Sequence, residues 1–385
     1  MKPTNKARSL LAVAGEPSGD RLCAPILLEL HRQFDAIETW GMGGPLSQQA
    51  GLRSVFDARS LSVMGIGDAL RAAFQARDAL SALLRGIYSK PPSIALLINF
   101  TEFNTYLGRL LKKAGTRVLW VAAPQVWAWR ESRLHSMGSS LDRMALLFPF
   151  EEALWRGAGV DARYVGHPAL ELPQRPREEI ENCIGLKVNE KRIAILAGSR
   201  AGEIQRLAQP LCEAAKKLCQ MAAADRAYLI AAPHLREEQS FQLHKIANQF
   251  HIQVLGADPV HGAAPLLRAF DLALCASGTA SLETALAGIP QVVAYRIDRL
   301  SAAIARRYLR TPFISLPNIL MGEPRVSELL QEDAQCDKIA NEGQKALAAP
   351  EKALALERSL RALMHINGQS NFGSRVLDRM RDWLV

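Results

Sequence analysis

The sequence predicts an α/β protein of two doubly wound domains facing each other across a cleft, and three observations carry that prediction. Short runs rich in Val, Ile and Leu alternate with amphipathic stretches, as parallel strands alternate with crossover helices. One device occurs in each half: an apolar strand, a glycine turn, then a helix, first at Gly15 and again at Gly198. With 385 residues, the chain is too long for one compact core and ample for two.

In the first half, the candidate strands are Leu10–Ala14, Thr39–Met42, Ile94–Ile98, Val118–Val121 and Met144–Leu147. Leu10–Ala14 runs into Gly15-Glu16-Pro17-Ser18-Gly19-Asp20. Next comes His167–Asn189, which holds Pro168, Pro173, Pro176 and the charge cluster Arg175–Glu181. Proline discourages both helix and central strand, so the domain boundary is expected there. The second half repeats the pattern with Arg192–Leu196, Ala227–Ala231, Gln253–Leu255, Leu272–Cys275 and Gln291–Ala294. The expected division is 1–170, a linker at 171–190, a second domain at 191–357 and a helical C-terminal stretch at 358–385. In doubly wound sheets, ligands bind at the carboxyl ends of the strands.

Charged residues make up 22% and hydrophobic ones 49%, a globular balance that argues against disorder and against a multi-span membrane protein. Lys plus Arg number 47 against 38 Asp plus Glu, a net +9. That excess fits nucleic acid, an acidic membrane face or a phosphorylated substrate. The basic residues are scattered rather than interleaved with aromatics, so nucleic acid is the weakest of the three. Cys23, Cys183, Cys212, Cys219, Cys275 and Cys336 form no C-x-x-C and have no companion histidines, which suggests neither zinc nor a redox pair. A reduced, cytoplasmic setting is the simplest reading. Lys2, Lys6 and Arg8 before Leu10–Ala14 imitate a signal peptide, but five apolar residues fall short of the roughly 7–15 required. No run approaches the ~18 apolar residues of a transmembrane helix.

Several segments can carry chemistry. Ala276-Ser277-Gly278-Thr279-Ala280-Ser281-Leu282-Glu283 follows a strand, and its small residues open a helix whose N-terminus suits a pyrophosphate. Glu283, one turn beyond Thr279, can accept hydrogen bonds from ribose hydroxyls, or it is simply a solvated helix residue. At Gly198-Ser199-Arg200, the guanidinium can fork onto phosphate and stabilise a leaving nucleotide, or sit in a surface ion pair. Glu102, after strand Ile94–Ile98, can act as a general base or only as a helix-opening residue. Trp127, Trp129 and Arg130 can wall a sugar or acyl pocket, with core packing the default for the tryptophans. Along Leu61–Leu84, the apolar Val63, Met64, Ile66, Leu70, Phe74, Leu80, Leu83 and Leu84 are interrupted by Arg71, Arg77 and Arg85. Such a stripe packs on its own domain or, with its basic neighbours, lies at a membrane interface.

An ordered set of segments then identifies a resemblance that covers nearly the whole chain. It comprises Ala14–Asp20, Gly41-Met42-Gly43-Gly44, Val63-Met64-Gly65-Ile66, Gln125-Val126-Trp127-Ala128-Trp129-Arg130, Pro149-Phe150-Glu151, Val165-Gly166-His167-Pro168, Gly198–Arg200, Ala276–Glu283 and Ser315-Leu316-Pro317-Asn318. The chain resembles the lipid-A-disaccharide synthase family, glycosyltransferases of the GT-B type. The resemblance implies two facing Rossmann-like domains, with the C-terminal helices crossing back to the first. It also implies transfer of 2,3-diacylglucosamine from UDP to 2,3-diacylglucosamine 1-phosphate, giving the β-1,6-linked disaccharide and UDP.

Carried onto this sequence, the resemblance implies that Gly278, Thr279 and Glu283 hold UDP, with Ser277, Gly198 and Ser199 beside them. Arg200 meets the phosphates and Asn318 sits in the sugar–nucleotide cleft. Gly15, Glu16, Ser18, Gly19 and Asp20 face them from the acceptor domain, joined by Asn104, Gln125, Trp127 and Arg130. Glu102, Arg200 and Asn318 are the catalytic candidates. Val63, Met64, Ile66, Leu70 and Phe74 form the acyl entrance on an anionic inner-membrane surface, so the expected location is peripheral, on its cytoplasmic face. No metal and no cofactor are expected, because GT-B enzymes stabilise the leaving diphosphate with helix dipoles and basic side chains. A monomer or homodimer is expected.

The family usually reads Ile-Asp-x-Pro-Asp-Phe-Asn where this chain has Ile98-Asn99-Phe100-Thr101-Glu102-Phe103-Asn104. One carboxylate remains, on a longer arm, and a displacement of ~1 Å can cost about a hundredfold in rate. Another UDP-sugar transferase or epimerase, and a catalytically weakened binding paralogue, are therefore the alternatives.

Overall fold

The computed structural model describes residues 8–34, 37–58, 69–125, 134, 137–172, 174–233, 235–298, 311–368 and 370–385. The chain divides into two compact units, Met1–Glu171 with Met364–Val385, and Leu172–Leu363. Each is a parallel sheet with helices on both faces.

In the first unit the order is β1 (Arg8–Ala14), α1 (Pro17–Gln33), β2 (Ile37–Gly43), α2 (Pro45–Gln49), β3 (Arg53–Asp57), α3 (Ala69–Ser89), β4 (Ile94–Ile98), α4 (Thr101–Lys113), β5 (Arg117–Val121), β6 (Arg143–Leu146), α5 (Glu151–Gly157) and β7 (Asp161–Tyr164). The seven strands lie in the order β3-β2-β1-β4-β5-β6-β7. The sequence reverses direction between β1 and β4, where Ala14 pairs with Ile98. Both strands are apolar throughout their paired length and buried on both faces, which is why they read as continuous apolar runs rather than alternating ones.

The C-terminal helices α13 (Phe372–Asp378) and α14 (Arg381–Leu384) also belong to this unit. Gly373 approaches the Pro25 carbonyl of α1 so closely that a Cβ would lie 2.4 Å from it. Ion pairs Arg375–Glu171 (2.6 Å), Arg379–Asp161 (2.6 Å) and Arg143–Asp382 (2.5 Å) hold the segment along the end of the sheet.

The second unit runs α6 (Arg177–Ile184), β8 (Arg192–Leu196), α7 (Ala201–Gln220), β9 (Arg226–Ala231), α8 (Glu237–Gln249), β10 (Gln253–Gly256), β11 (Leu272–Ala276), α9 (Thr279–Leu286), β12 (Gln291–Tyr295), α10 (Leu316–Met321), β13 (Ser327–Leu330), α11 (Cys336–Leu347) and α12 (Pro350–Leu363). Its sheet order is β10-β9-β8-β11-β12-β13, reversing between β8 and β11. Alternate residues separate onto the two faces. Ile193, Ile195, Leu272 and Leu274 pack with Ile204, Leu207 and Leu211 of α7, while Ala194, Leu196, Ala273 and Cys275 pack with Ile180 and Phe270.

One expectation is corrected, and three strands come in addition. The proline-bearing segment 171–190 is more than a linker: Pro176 precedes α6 as its N-cap, where it lies outside the helix and breaks nothing. That helix is tied down by Glu181, which accepts from Arg192 (2.6 Å) and Arg177 (2.8 Å), with Arg192 fully buried. Strands β3, β7 and β13 were not expected. All three are edge strands, half-exposed and polar, so they lack the apolar run that marks the central ones.

Candidate functional site

Each unit places its glycine turns where the strand order reverses, the point at which a crevice opens beyond the strand ends. In the first unit, the turn Gly15–Glu16 after β1 lies beside the turn Asn99–Phe100 after β4. The Phe100 ring rests on Gly15, where a Cβ would lie 2.4 Å from Cδ1, so only glycine admits it. Asn99 and Phe100 are both left-handed, with φ of 51° and 47°. Asparagine tolerates that conformation and phenylalanine does not, so the turn carries strain that its surroundings must hold. Asn104 supplies part of that restraint: fully buried, it donates from Nδ2 to the carbonyls of Asn99 (2.9 Å) and Ile98 (3.3 Å). Phe103 adds a ring contact to Phe100 at 5.1 Å. Glu102, in the first turn of α4, is exposed, and Asn99 Nδ2 lies 3.5 Å from Ser18 Oγ.

Asp20 points away from this crevice. Only 3% exposed, it accepts from the backbone N–H groups of Gly44 (2.9 Å), Leu46 (3.0 Å) and Ser47 (2.9 Å), and from the Ser47 hydroxyl. Its carboxylate caps α2, whose N-terminal donors have no partners within the helix. The expectation that Asp20 faces a ligand is corrected, because every one of those contacts lies inside the unit. Around the same turn Glu16 is half-buried, Gly19 is buried and Ser18 is exposed. Gln125 is exposed just beyond β5. Trp127, Trp129, Arg130, Val63, Met64 and Ile66 lie outside the described residues, and Leu70 is placed only as a backbone position of α3. Farther along that helix, Ala79, Leu83 and Ile87 are buried against the sheet while Phe74 is 55% exposed. The apolar stripe therefore divides into a packed part and a free flank.

In the second unit, the turn Ala197–Arg200 after β8 lies beside Ser277–Gly278 after β11. Gly278 has φ 140° and ψ −155°, a conformation open only to glycine, and it is the N-cap of α9. Thr279 is exposed at the helix opening. Glu283, one turn in, is 5% exposed, so the simple solvated-residue alternative does not describe it. The two therefore do not share one solvent-facing surface. Across the turn, Glu203 Oε2 accepts from the N–H groups of Ser199 (3.1 Å) and Arg200 (3.2 Å), and the Arg200 guanidinium reaches Glu203 Oε1 at 3.2 Å. Gly198 precedes them with φ 100°. An anion arriving there would compete with Glu203.

Asn318 is buried, and its side chain is fully engaged within the unit. Oδ1 accepts from the N–H groups of Arg325 (2.7 Å) and Val326 (2.9 Å), while Nδ2 donates to the Val326 carbonyl (2.9 Å) and Glu328 Oε1 (2.8 Å). Ser277 likewise donates inward, to the Ile314 carbonyl at 2.9 Å. Asn318 is thereby corrected from a ligand-facing residue to one that holds the site's backbone, while Ser277 is half-buried with its hydroxyl directed inward. Sequence reasoning passed over Glu203, Glu328 and the ring of Phe100. Only Glu203 had a local signal, as an acidic residue in a helix's opening turn.

His167, at the end of the first unit's sheet, is buried and neutral. Burial, aided by the charge of Arg21, pushes it down to about 4. Its Nδ1 accepts from Ala169 N–H (3.1 Å), and its ring stacks on Phe148 at 5.6 Å. Among the described residues, no group of three or more His, Cys, Asp or Glu is placed to hold a metal ion, and no helix is long and apolar enough to cross a membrane.

Residues 10–372 match the family model LpxB, Lipid-A-disaccharide synthetase. The lipid-A-disaccharide synthase of Anaeromyxobacter dehalogenans is 36% identical over 358 residues, 92% of each chain. That of Geobacter sulfurreducens is 32% identical over 374 residues, 97% of this chain and 96% of that one. Among solved structures, a putative UDP-N-acetylglucosamine 2-epimerase from Listeria monocytogenes superposes with a TM-score of 0.67 at 14% identity, covering 98% of this chain and 97% of that one. MurG from Acinetobacter baumannii gives 0.54 at 14%, covering 97% and 99%. At such identities these structures speak for the GT-B fold alone, whereas the sequence matches carry the activity and do not favour an epimerase or a binding paralogue. The chain belongs to the lipid-A-disaccharide synthase family, hexosyltransferases that make the disaccharide of lipid A.

Proposed function

We propose that the second unit holds the UDP of UDP-2,3-diacylglucosamine, with the diphosphate at the N-terminus of α9. The observation that carries this reading is the glycine-only turn at Gly278, which opens α9 beside the β8 turn. Helix N–H groups and dipole favour the two phosphates, Arg200 leaves Glu203 to meet them, and Glu283 takes the ribose hydroxyls. The acceptor sugar phosphate binds at the first unit's crevice, with Glu102 as the general base. As the acceptor's 6-hydroxyl oxygen attacks the anomeric carbon, Glu102 takes its proton, the bond from that carbon to the diphosphate oxygen breaks, and UDP leaves with the electron pair. No metal enters this scheme, since helix dipole and guanidinium meet the charge on the leaving group.

The free flank of α3 supports a peripheral membrane role on the cytoplasmic face of the inner membrane. Phe74 stands exposed one turn from the exposed Arg77 and Asp78, with the exposed Arg85 about three turns farther along α3, an apolar group with cations on its helix for anionic headgroups. The test of the chemistry is Glu102→Gln. Turnover should fall by about 10²–10⁴-fold, the usual worth of a general base, with UDP affinity unchanged. Turnover within threefold of the parent would remove Glu102 from that role.

A further inference from the structure

Glu328 lies on the edge strand β13, outside the sequence motifs but bonded to one of them, Ser315–Asn318, and its carboxylate gathers four donors. Oε2 accepts from Ile314 N–H at 2.9 Å. Oε1 accepts from Ser315 N–H (2.9 Å), the Ser315 hydroxyl (2.6 Å) and Asn318 Nδ2 (2.8 Å). Ser315 is the N-cap of α10, and its hydroxyl also lies 3.5 Å from Asn318 N–H. The Ile314 carbonyl in turn accepts from Ser277 Oγ at 2.9 Å, one residue before Gly278. A continuous chain of hydrogen bonds thus runs from the carboxylate on β13, through the irregular segment Ile314–Ser315 that precedes α10, to the turn that opens α9.

From this geometry we infer that Glu328 is a positioning residue for the nucleotide, acting through Ile314 and Ser277 to fix the Gly278 turn that aims the N-terminus of α9. The inference rests on the proposed placement of UDP at that helix. A carboxylate suits the role because it has no hydrogen to donate and can meet all four donors at once. An amide in its place would set its NH2 group against N–H groups that need an acceptor, and the segment around Ile314 would shift. Ser281 holds the Gly278 carbonyl from within α9, through its hydroxyl at 2.7 Å and its N–H at 3.1 Å, and Ser277 anchors the other side of a turn that has no side chain of its own.

The test is the dissociation constant for UDP, measured by calorimetry on the full chain for the parent, Glu328→Gln, Ser277→Ala, their double variant and Gly278→Ala. Glu328→Gln and Ser277→Ala should each weaken UDP by about tenfold, and the double variant should be little worse than either single, because both break one chain of bonds. The KM for the acceptor should stay within twofold of the parent, a split that general destabilisation would not produce. Ser277→Ala removes a single hydroxyl and keeps the test open should Glu328→Gln fold poorly. Parent-like UDP affinity in Ser277→Ala and Glu328→Gln, with binding lost in Gly278→Ala, overturns the role of Glu328 and leaves the UDP site standing. Parent-like affinity in all the variants, Gly278→Ala included, overturns the inference together with the site on which it rests.

Discussion

Replacing Asp20 by alanine separates a residue that builds the site from one that touches its ligand. The carboxylate is 3% exposed and accepts from three backbone N–H groups and a hydroxyl at the start of α2. Alanine leaves all four without an acceptor. Each buried donor left unpaired costs about 1–3 kcal/mol, and water entering the vacated space recovers part of that, so a net loss of about 3 kcal/mol is expected. For a unit of this size, 1 kcal/mol moves the midpoint by roughly 2–4 °C, so unfolding of the first unit should fall by about 6–12 °C. Calorimetric unfolding, with KM for both substrates measured well below the new midpoint, checks this. The midpoint should fall, with KM values within twofold of the parent. An unchanged midpoint with a tenfold rise in KM would refute the structural role and return Asp20 to the ligand.

Other predictions follow from the buried ionisable groups. His167 is held at about 4, below its unfolded value of ~6.5, so the unfolded chain binds the extra proton between those values. Its contribution is complete above pH 6.5 and is lost as pH falls toward 4, amounting to about 2 kcal/mol between pH 7 and pH 5. Urea unfolding of His167→Gln should show that much less pH dependence over the interval, and identical profiles would refute the assignment. Glu181→Ala removes the nearer carboxylate of the fully buried Arg192, leaving Glu190 at 3.9 Å, and should destabilise the second unit by about 3–5 kcal/mol in denaturant unfolding. Glu181→Leu combined with Arg192→Met should recover most of that loss, and a single-variant loss below 1 kcal/mol would contradict the pair's burial.

The central strands were legible in the sequence because β1, β4, β8 and β11 are buried on both faces and so must be apolar throughout. Edge strands face water on one side, and Arg53–Asp57 or Asp161–Tyr164 carry no pattern that separates them from loops. The site was legible as places in the chain, since a strand, a glycine turn and a helix can be read locally. The directions of its side chains were not. Asp20, Ser277 and Asn318 sit in the right turns but point inward, because their partners at residues 44–47, 314 and 325–328 are set by tertiary packing. The exchange of the family's proline for Thr101 was visible in sequence, but the left-handed pair Asn99–Phe100 before it emerged only in three dimensions.

This chain, with Asn99 and Glu102 in place of the family's two aspartates, forms the lipid A disaccharide. Purified protein in detergent, given UDP-2,3-diacylglucosamine and 2,3-diacylglucosamine 1-phosphate, tests it most directly by mass spectrometry of the lipid product and by UDP release. A tetra-acyl disaccharide 1-phosphate should appear in step with UDP. UDP binding intact with no disaccharide formed would contradict it.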